Sequence, residues 1–429
     1  LTFSFFTLIA ITFSANTISQ EVEEVVVTAT KKEESTQDIA VSITAITADQ
    51  LAADQIYDLQ DLAEIVPGFG VAKGIGSGSG FVMRGIGSYG VGAAVVSSIV
   101  TSINGHSVNP SIMNDMGFMD LERIEVLNGP QGTLFGRNSV AGVINLVTAR
   151  PTGEFEGYVD YESGNYDKET VKGAVNMPIS DTVRARLAFM TNTRDGMVEN
   201  TTNGNKMDDR NDQAVRLSLD WDINDVTELK FTYSGQKSND NRPQEEISYC
   251  QQDPFFGCSP WVRGTPNTAA DSRGIGAGLF SFIAALYPGT IQNDYRFSPT
   301  TAELNKLAID REPTHVQDIE FSNLELVREL SDNLTMTAKY SYETRRFQQM
   351  NDNDGSTSLA PFIGAGVLLG LPPVESEQCF GTPTFGFCEY VTTDRTYDFS
   401  DVKYESQQAE INITSDFDGP FNYTAGFYM

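Results

Sequence analysis

Histidine is almost missing from this chain of 429 residues: His106 and His315 are the only two. With no CxxC spacing among the four cysteines either, there is little from which to build a zinc site. Positive charge is scarce as well. Against 58 acidic side chains stand 29 basic ones, a formal charge of -29. That balance excludes nucleic acid as a partner, since neutralising phosphates takes Lys and Arg. The excess is spread along the chain, with 7 basic and 15 acidic residues before Pro151 and 22 and 43 from there on, so no acidic tail is present. It fits plain solubility, or equally a negatively lined interior that attracts cations and their complexes. No stretch beyond the first twenty residues is apolar enough for a spanning helix, which leaves a closed barrel as the only route into a membrane. Catalytic signatures such as GxSxG and HExxH are absent, so nothing reads as an enzyme. GIGSGSG at 74–80 lacks the strand and helix of a dinucleotide-binding unit, and no cofactor is implied.

What is present begins with LTFSFFTLIAITFSAN, an apolar run that carries no charge before Glu21 and gives way to small residues near Ala15–Ser19. It reads as the hydrophobic region and cleavage zone of a secretory signal, residues 1–20, whose basic start is expected to lie upstream of Leu1. A buried core strand is the alternative. Export agrees with the cysteines, which form two close pairs, Cys250/Cys258 in CQQDPFFGC and Cys379/Cys388 in CFGTPTFGFC. Four cysteines permit three connectivities, and the short Pro- and Gly-containing loops favour the local disulfides Cys250–Cys258 and Cys379–Cys388.

The pattern changes near Pro151. Only two of the 16 tyrosines, Tyr57 and Tyr89, precede it, and both tryptophans, Trp221 and Trp261, follow it. In the first part IAVSITAIT (39–47) reads as a strand, and Thr47 with Gln50 forms a capping box for the helix that follows. Leu59, Leu62, Ala63 and Val66 then fall at helical spacing and stop at Pro67-Gly68. FVMRGIG, SIVTSING, ERIEVLNG and AGVINLVT are strand-like pieces broken by glycine, which makes this a small mixed α+β domain.

From Glu154 the pattern is alternation at period two. Val183, Ala185, Leu187 and Phe189 share a face opposite Arg184 and Arg186. Val215, Leu217, Leu219 and Trp221 oppose Arg216, Ser218 and Asp220; Leu229, Phe231 and Tyr233 oppose Lys230 and Thr232. LTMTAKYSY and FNYTAGF repeat the pattern. Strands of about ten residues, polar on one face and apolar with terminal aromatics on the other, fit a transmembrane barrel. A soluble sandwich alternates similarly. Tight polar turns in DWDINDVTELK and RELSDNLTM, set against the long connections 236–315 and 346–401, match the two unequal ends of an outer-membrane barrel and favour it.

Two motif groups resemble the TonB-dependent outer-membrane receptor family. The first is EVEEVVVTAT, where Glu23, Glu24, Val25, Val26, Val27, Thr28 and Ala29 form a β-prone run with charged flanks, suited to adding itself to another protein's sheet edge. It resembles the TonB box and is expected to be a mobile segment ahead of the first packed element. An ordinary first strand of the next domain fits the same residues. The second is MDLERIEVLNGPQGTLFGRNSVAGVINLVTARP (119–151), which looks like the end of the family's plug, with glycines at 129, 132, 136 and 142 where the chain turns tightly. VPGFGV and FVMRGIGS sit in the family's order. These motifs cover nearly all of 21–151, whereas the barrel resemblance is one of pattern only. Two departures stand out: Asn104-Gly105 where the family often has Asp-Gly, and Asn128 where it often has Arg.

The resemblance implies an α+β plug inside a transmembrane antiparallel β-barrel of the Gram-negative outer membrane. The expected order is signal 1–20, box and linker 21–35, plug 36–151, and barrel from 152 to 429. About nine barrel strands are expected here against the family's roughly 22, so a longer protein is expected. Arg84, Glu122, Arg123, Glu125 and Arg137 are the candidates for plug–wall contacts. Gly74, Ile75, Gly76, Ser77 and Gly78 are the candidate ligand-facing plug loop. The implied partners are TonB, with ExbB and ExbD in the inner membrane, the outer-membrane lipid and a small ligand. A ferric siderophore or other iron complex leads by family frequency; cobalamin or an oligosaccharide is the alternative, and a passive porin or adhesin-type barrel is the rival of another class. Two histidines disfavour a His-ligated haem cargo. The few residues ahead of Glu23 disfavour a signalling domain or a glycan importer.

Overall fold

The computed structural model describes residues 26–28, 31, 34–35, 39, 41–73, 79–87, 97–109, 117–136, 138–242, 249–250, 262–263, 305–307, 309, 312–352, 378–382, 385–389, 397–419 and 421–429. A two-strand leader comes first, β1 (Val26–Val27) against β2 (Glu34–Ser35). Then follow β3 (Ile43–Thr47), α1 (Ala48–Ala53), α2 (Leu59–Ile65), β4 (Phe69–Lys73), β5 (Ser79–Met83), β6 (Ile86–Gly87), β7 (Ile99–Ile103), β8 (His106–Val108), β9 (Leu121–Asn128), α3 (Gly132–Phe135) and β10 (Gly142–Thr148). Five of these strands form one mixed sheet in the order β3-β9-β10-β7-β8, with β7 and β10 parallel.

Local chemistry sets the helices. The Thr47 side chain accepts from the Gln50 amide and the Gln50 side chain from the Thr47 amide, the expected capping box. Asp58 and Asp61 build a second one at α2. The strand expected over 39–47 is confined to Ile43–Thr47. Leu51, Leu59, Leu62 and Val66 close over Phe81, Met83, Ile99, Ile124 and Ile144 to make the plug core. Gly142 is required there by close approach: a Cβ would meet Met83 Sδ at 2.2 Å and the Leu127 carbonyl at 2.3 Å. Asn104-Gly105 joins β7 to β8 with both residues at positive φ, 52° and 75°. An Asn-Gly pair suits such a hairpin as well as Asp-Gly, so this departure leaves the turn intact.

The wall is a nine-strand sheet of β11 (Gly157–Gly164), β12 (Lys168–Pro178), β13 (Val183–Arg194), β16 (Arg210–Asn224), β17 (Thr227–Asp240), β21 (Thr314–Ser331), β22 (Leu334–Asp352), β25 (Tyr397–Ser415) and β26 (Thr424–Tyr428). Every neighbour is antiparallel and follows in chain order. Among the described residues the sheet does not close on itself. The connections carry β14 (Val198–Asn200), β15 (Lys206–Met207) and β20 (Lys306–Leu307) as one small sheet, and two hairpins, β18 (Tyr249–Cys250) with β19 (Val262–Arg263) and β23 (Gln378–Thr382) with β24 (Phe385–Glu389).

Burial on the wall is inverted relative to a soluble sandwich. Thr232, Gln236, Asn323, Ser341, Glu343 and Arg345 are buried, whereas Trp221, Tyr340 and Phe189 are exposed at 47%, 45% and 38%. A polar face packed on the plug and an apolar face turned outward is the arrangement of a barrel in lipid. β16, β17, β21, β22 and β25 run 14 to 19 residues, longer than the ten expected. The extra length lies beyond the apolar band, where outward positions such as Lys237, Asp318 and Lys403 carry charge and need water or headgroups.

Candidate functional site

The candidate site is the seam where the plug and its leader meet the inner wall. On one side Asp120, just ahead of β9, enters the wall. Its carboxylate takes two hydrogen bonds from Arg186, Nε at 2.8 Å and Nη2 at 2.6 Å, and a third from the Tyr158 hydroxyl at 3.2 Å. Arg216 donates to the carbonyl of Met119 at 2.7 Å and lies fully inside, 3% exposed. Asp120 adopts a left-handed φ of 49°, a conformation that costs energy in a non-glycine residue and persists when surrounding contacts fix it. Met119 packs with Ala174, Ala188 and Met190 of the wall and seals the joint with apolar surface. Below, Arg150 pairs with Asp220 and donates to Thr232 where the chain passes from plug to wall.

The opposite seam is built differently. The β7–β8 hairpin meets β22 and β25 through its backbone: Lys339 Nζ donates to the Asn104 carbonyl at 3.3 Å and Gln408 to the Ser107 carbonyl at 2.9 Å. The Asn109 amide donates to Glu343 at 3.3 Å. Beside these contacts His106 is buried against Phe321, ring centroids 6.3 Å apart. Burial first, and the Lys339 charge second, push its pKa down to about 3.

The folded plug therefore holds His106 neutral, while an unfolded chain protonates it near its ordinary value. Stability is complete above pH 6.5 and falls as pH drops toward 3. At pH 5 the loss is roughly 2 kcal/mol, from about 1.36 kcal/mol per unit. We expect His106→Asn to lose less thermal stability between pH 7.5 and pH 5 than the parent. Parallel losses in both proteins would show that this imidazole is not the source.

The leader is docked, where a mobile segment was expected. Val27 is fully buried. The Thr28 amide donates to Glu125 Oε1 at 2.9 Å and its hydroxyl does so at 3.2 Å. Glu125, 0% exposed, also accepts from Arg123 Nε at 2.9 Å and Asn145 Nδ2 at 3.0 Å. Lys31 reaches the wall, 3.0 Å from Glu410, and sits over the Phe135 ring at 4.9 Å. Burial lowers its pKa, with the Glu410 charge opposing. The leader is thus fastened at once to plug and wall.

Of the expected plug–wall residues, Glu125 and Arg123 meet each other, the leader and Asn145, while Glu122 pairs with Arg123 at the surface. Arg84 donates to Ser42 Oγ at 2.9 Å within the plug. These contacts join plug to plug and plug to leader; the wall is met by Asp120, Arg150, Asn104, Ser107 and Asn109. Arg137, the loop Gly74–Gly78, and Glu23, Glu24, Val25 and Ala29 of the box lie outside the described residues, as does Cys258. Cys379 and Cys388 are backbone partners in the β23–β24 register. One signal in the sequence pointed to the true lock: Arg186 and Arg216 face inward from apolar strands, and inward guanidinium groups need acceptors.

A mixed α+β cork seated against the polar inner face of a lipid-facing antiparallel wall defines a plugged outer-membrane barrel. The TonB-dependent Receptor Plug Domain family matches residues 35–143. Over 199 residues the chain is 29% identical to an iron-regulated outer membrane virulence protein of Vibrio cholerae, spanning 43% of this chain and 30% of that protein. It is 25% identical over 190 residues to a vitamin B12 transporter of Photobacterium profundum, again 43% of this chain and 30% of the other. In fold it is similar to the ferric yersiniabactin uptake receptor of Yersinia pestis, with a TM-score of 0.61 at 15% identity over 90% of this chain and 48% of that one. The chain thus spans about half the length of that solved relative. Residues 35–143 match the plug domain of TonB-dependent receptors, and the chain as described shares the fold of solved receptors of that kind.

Proposed function

We propose that this chain supplies the plug and leading wall of a receptor that imports a scarce nutrient across the outer membrane. Energy reaches it through TonB, with ExbB and ExbD in the inner membrane. A ferric siderophore or other iron complex is the cargo we favour. The observation that carries the reading is the leader: a valine-rich strand ahead of the plug, held by one buried carboxylate, Glu125, and one wall carboxylate, Glu410. A passive pore has no use for such a handle. Ligand binding that favours the undocked leader would present Val26–Thr28 for strand pairing with the periplasmic partner, a population shift set by differential affinity.

The iron cargo draws support from relatives named for iron regulation and for ferric pyoverdine. A vitamin B12 transporter among them keeps cobalamin in view, and an oligosaccharide is the third cargo to be screened. Within this reading, residues 36–151 act as plug, the loop 74–78 faces the ligand, and the pairs Cys250–Cys258 and Cys379–Cys388 clip two outer connections.

Deleting residues 23–29 from the full-length receptor is expected to abolish uptake while surface binding of the same chelate persists. Uptake and binding are measured with labelled iron chelates, cobalamin and oligosaccharides in parallel. Undiminished uptake by the deletion variant would point to a passive pore.

A further inference from the structure

We propose that Arg346 of β22 and Lys403 of β25 form a site for the phosphate of an anionic lipid headgroup in the outer leaflet. The inference rests on the lipid-facing wall and is independent of the cargo.

Orientation comes from parity. On β22, Ser341, Glu343, Arg345, Phe347 and Gln349 are buried inward, so Arg346, between two of them, points out and is exposed. Lys403 is its direct cross-strand partner and its side chain is 73% exposed. Height comes from the register. Arg346 lies 12 residues above Leu334 (346 less 334), and Lys403 lies 12 below Ser415 in number, hence equally high. At about 3.4 Å per residue and a tilt of about 40°, that places both about 30 Å above the short turns. The apolar band of such barrels is about 25 Å tall. The outward rows beneath them, Tyr340 with Ala409 and Ala338 with Ile411, are apolar and aromatic. The upper ends of these strands lead into the long 353–396 connection and the lower ends into tight turns, which identifies the outer leaflet.

Charge identifies the occupant. Like charges directly opposite on a sheet face destabilise it, with Cβ atoms about 5 Å apart. Arg346 makes no hydrogen bond or ion pair among the described residues, and on its other side it stands directly across from Asp318 of β21. Lys403 meets Glu405 at 2.8 Å, and in the same row Lys237 meets Asp318 at 3.5 Å. These exposed pairs are weak and exchange easily. Asp318, Glu320, Asp401 and Glu405 share the belt, so its net charge is not positive and a general attraction for anions is not expected. A phosphate seated between the two opposed cations removes their repulsion and takes the bidentate geometry a guanidinium offers.

The test uses the full-length receptor in detergent with two probes, diphosphoryl lipid A and the same lipid with its phosphates removed. We expect the parent to bind the phosphorylated lipid at least tenfold more tightly than the phosphate-free one. The double variant R346Q/K403Q should lose that tenfold preference and R346K only part of it. An unchanged melting temperature of the double variant excludes misfolding. Equal binding by parent and double variant overturns the proposal, as does a parent indifferent to the phosphates. Competition by inorganic phosphate at concentrations near those of the lipid assigns the site to a soluble anion and overturns it too. None of these outcomes alters the uptake reading.

Discussion

Asp120→Ala is expected to cost the seated plug about 3–5 kcal/mol, the usual penalty for removing one partner of a buried ion pair. The substitution leaves Arg186 without either of its two acceptors and takes the only acceptor the Tyr158 hydroxyl has among the described residues. It also frees the backbone at φ 49° to relax, which moves the Met119 carbonyl away from Arg216. Asp120→Asn keeps the shape but loses the charge, so it should fall between parent and alanine. Arg186→Lys should approach the alanine variant, because a single ammonium cannot reproduce two parallel hydrogen bonds. The comparison that isolates the effect is Glu162→Ala, whose partner Lys168 sits on an exposed hairpin with side chains 32% and 42% accessible. An exposed pair of that kind contributes at most about 1 kcal/mol. Melting of the plug followed by limited proteolysis gives both numbers. If Asp120→Ala and Glu162→Ala behave alike, the seam is not held by this carboxylate.

Glu125→Ala is expected to undock the leader. Its two oxygens accept from the Thr28 amide and hydroxyl, Arg123 Nε and Asn145 Nδ2, and no part of it reaches solvent. Alanine leaves those donors buried without an acceptor, at about 1–3 kcal/mol for each neutral donor and more for the guanidinium. The cheapest response is for the donor that directly follows the two-residue β1 to leave, and that is Thr28. Hydrogen exchange therefore reports the result directly: the Thr28 amide, protected in the parent, should exchange at close to the open-chain rate in the variant. Glu410→Gln, which weakens the Lys31 contact to the wall and touches Asn412 but leaves the Glu125 cluster intact, should raise exchange less. Retained protection of Thr28 in Glu125→Ala would mean that burial of Val27 alone holds the leader.

These two residues also mark how far the sequence could be read. Elements that rest on near neighbours were legible: the Thr47–Gln50 capping box, the α2 periodicity ending at Pro67-Gly68, the alternation in β13, β16 and β17. Their causes lie within a few positions. Asp120 and Glu125 were not legible in their roles, because β9 is covered on both sides. Arg123, Ile124, Glu125 and Val126 are all buried, so parity along the strand does not tell a plug-internal charge from a wall contact. Apart from Arg123, the partners of Glu125 lie 97 residues upstream and 20 downstream, and those of Asp120 are 66 and 38 residues away. Charge type gave no help either, since the wall supplies the arginines and the plug the acid. What could be read was the demand: inward Arg186 and Arg216 on strands otherwise apolar toward the lipid.

The order β3-β9-β10-β7-β8 has a mechanical side. In the sequence the leader is followed by β3, an outermost strand whose one neighbour in the sheet is β9, with five residues in register. If the leader is pulled, as the proposed function requires, tension reaches that strand before any other part of the sheet. It can tear away like the first row of stitching while β9, β10 and β7 keep their own ladders and the Asp120 joint stays shut. A gap opened by that proposed pull would lie along one flank and heal by re-pairing, with the rest of the cork left in its seat.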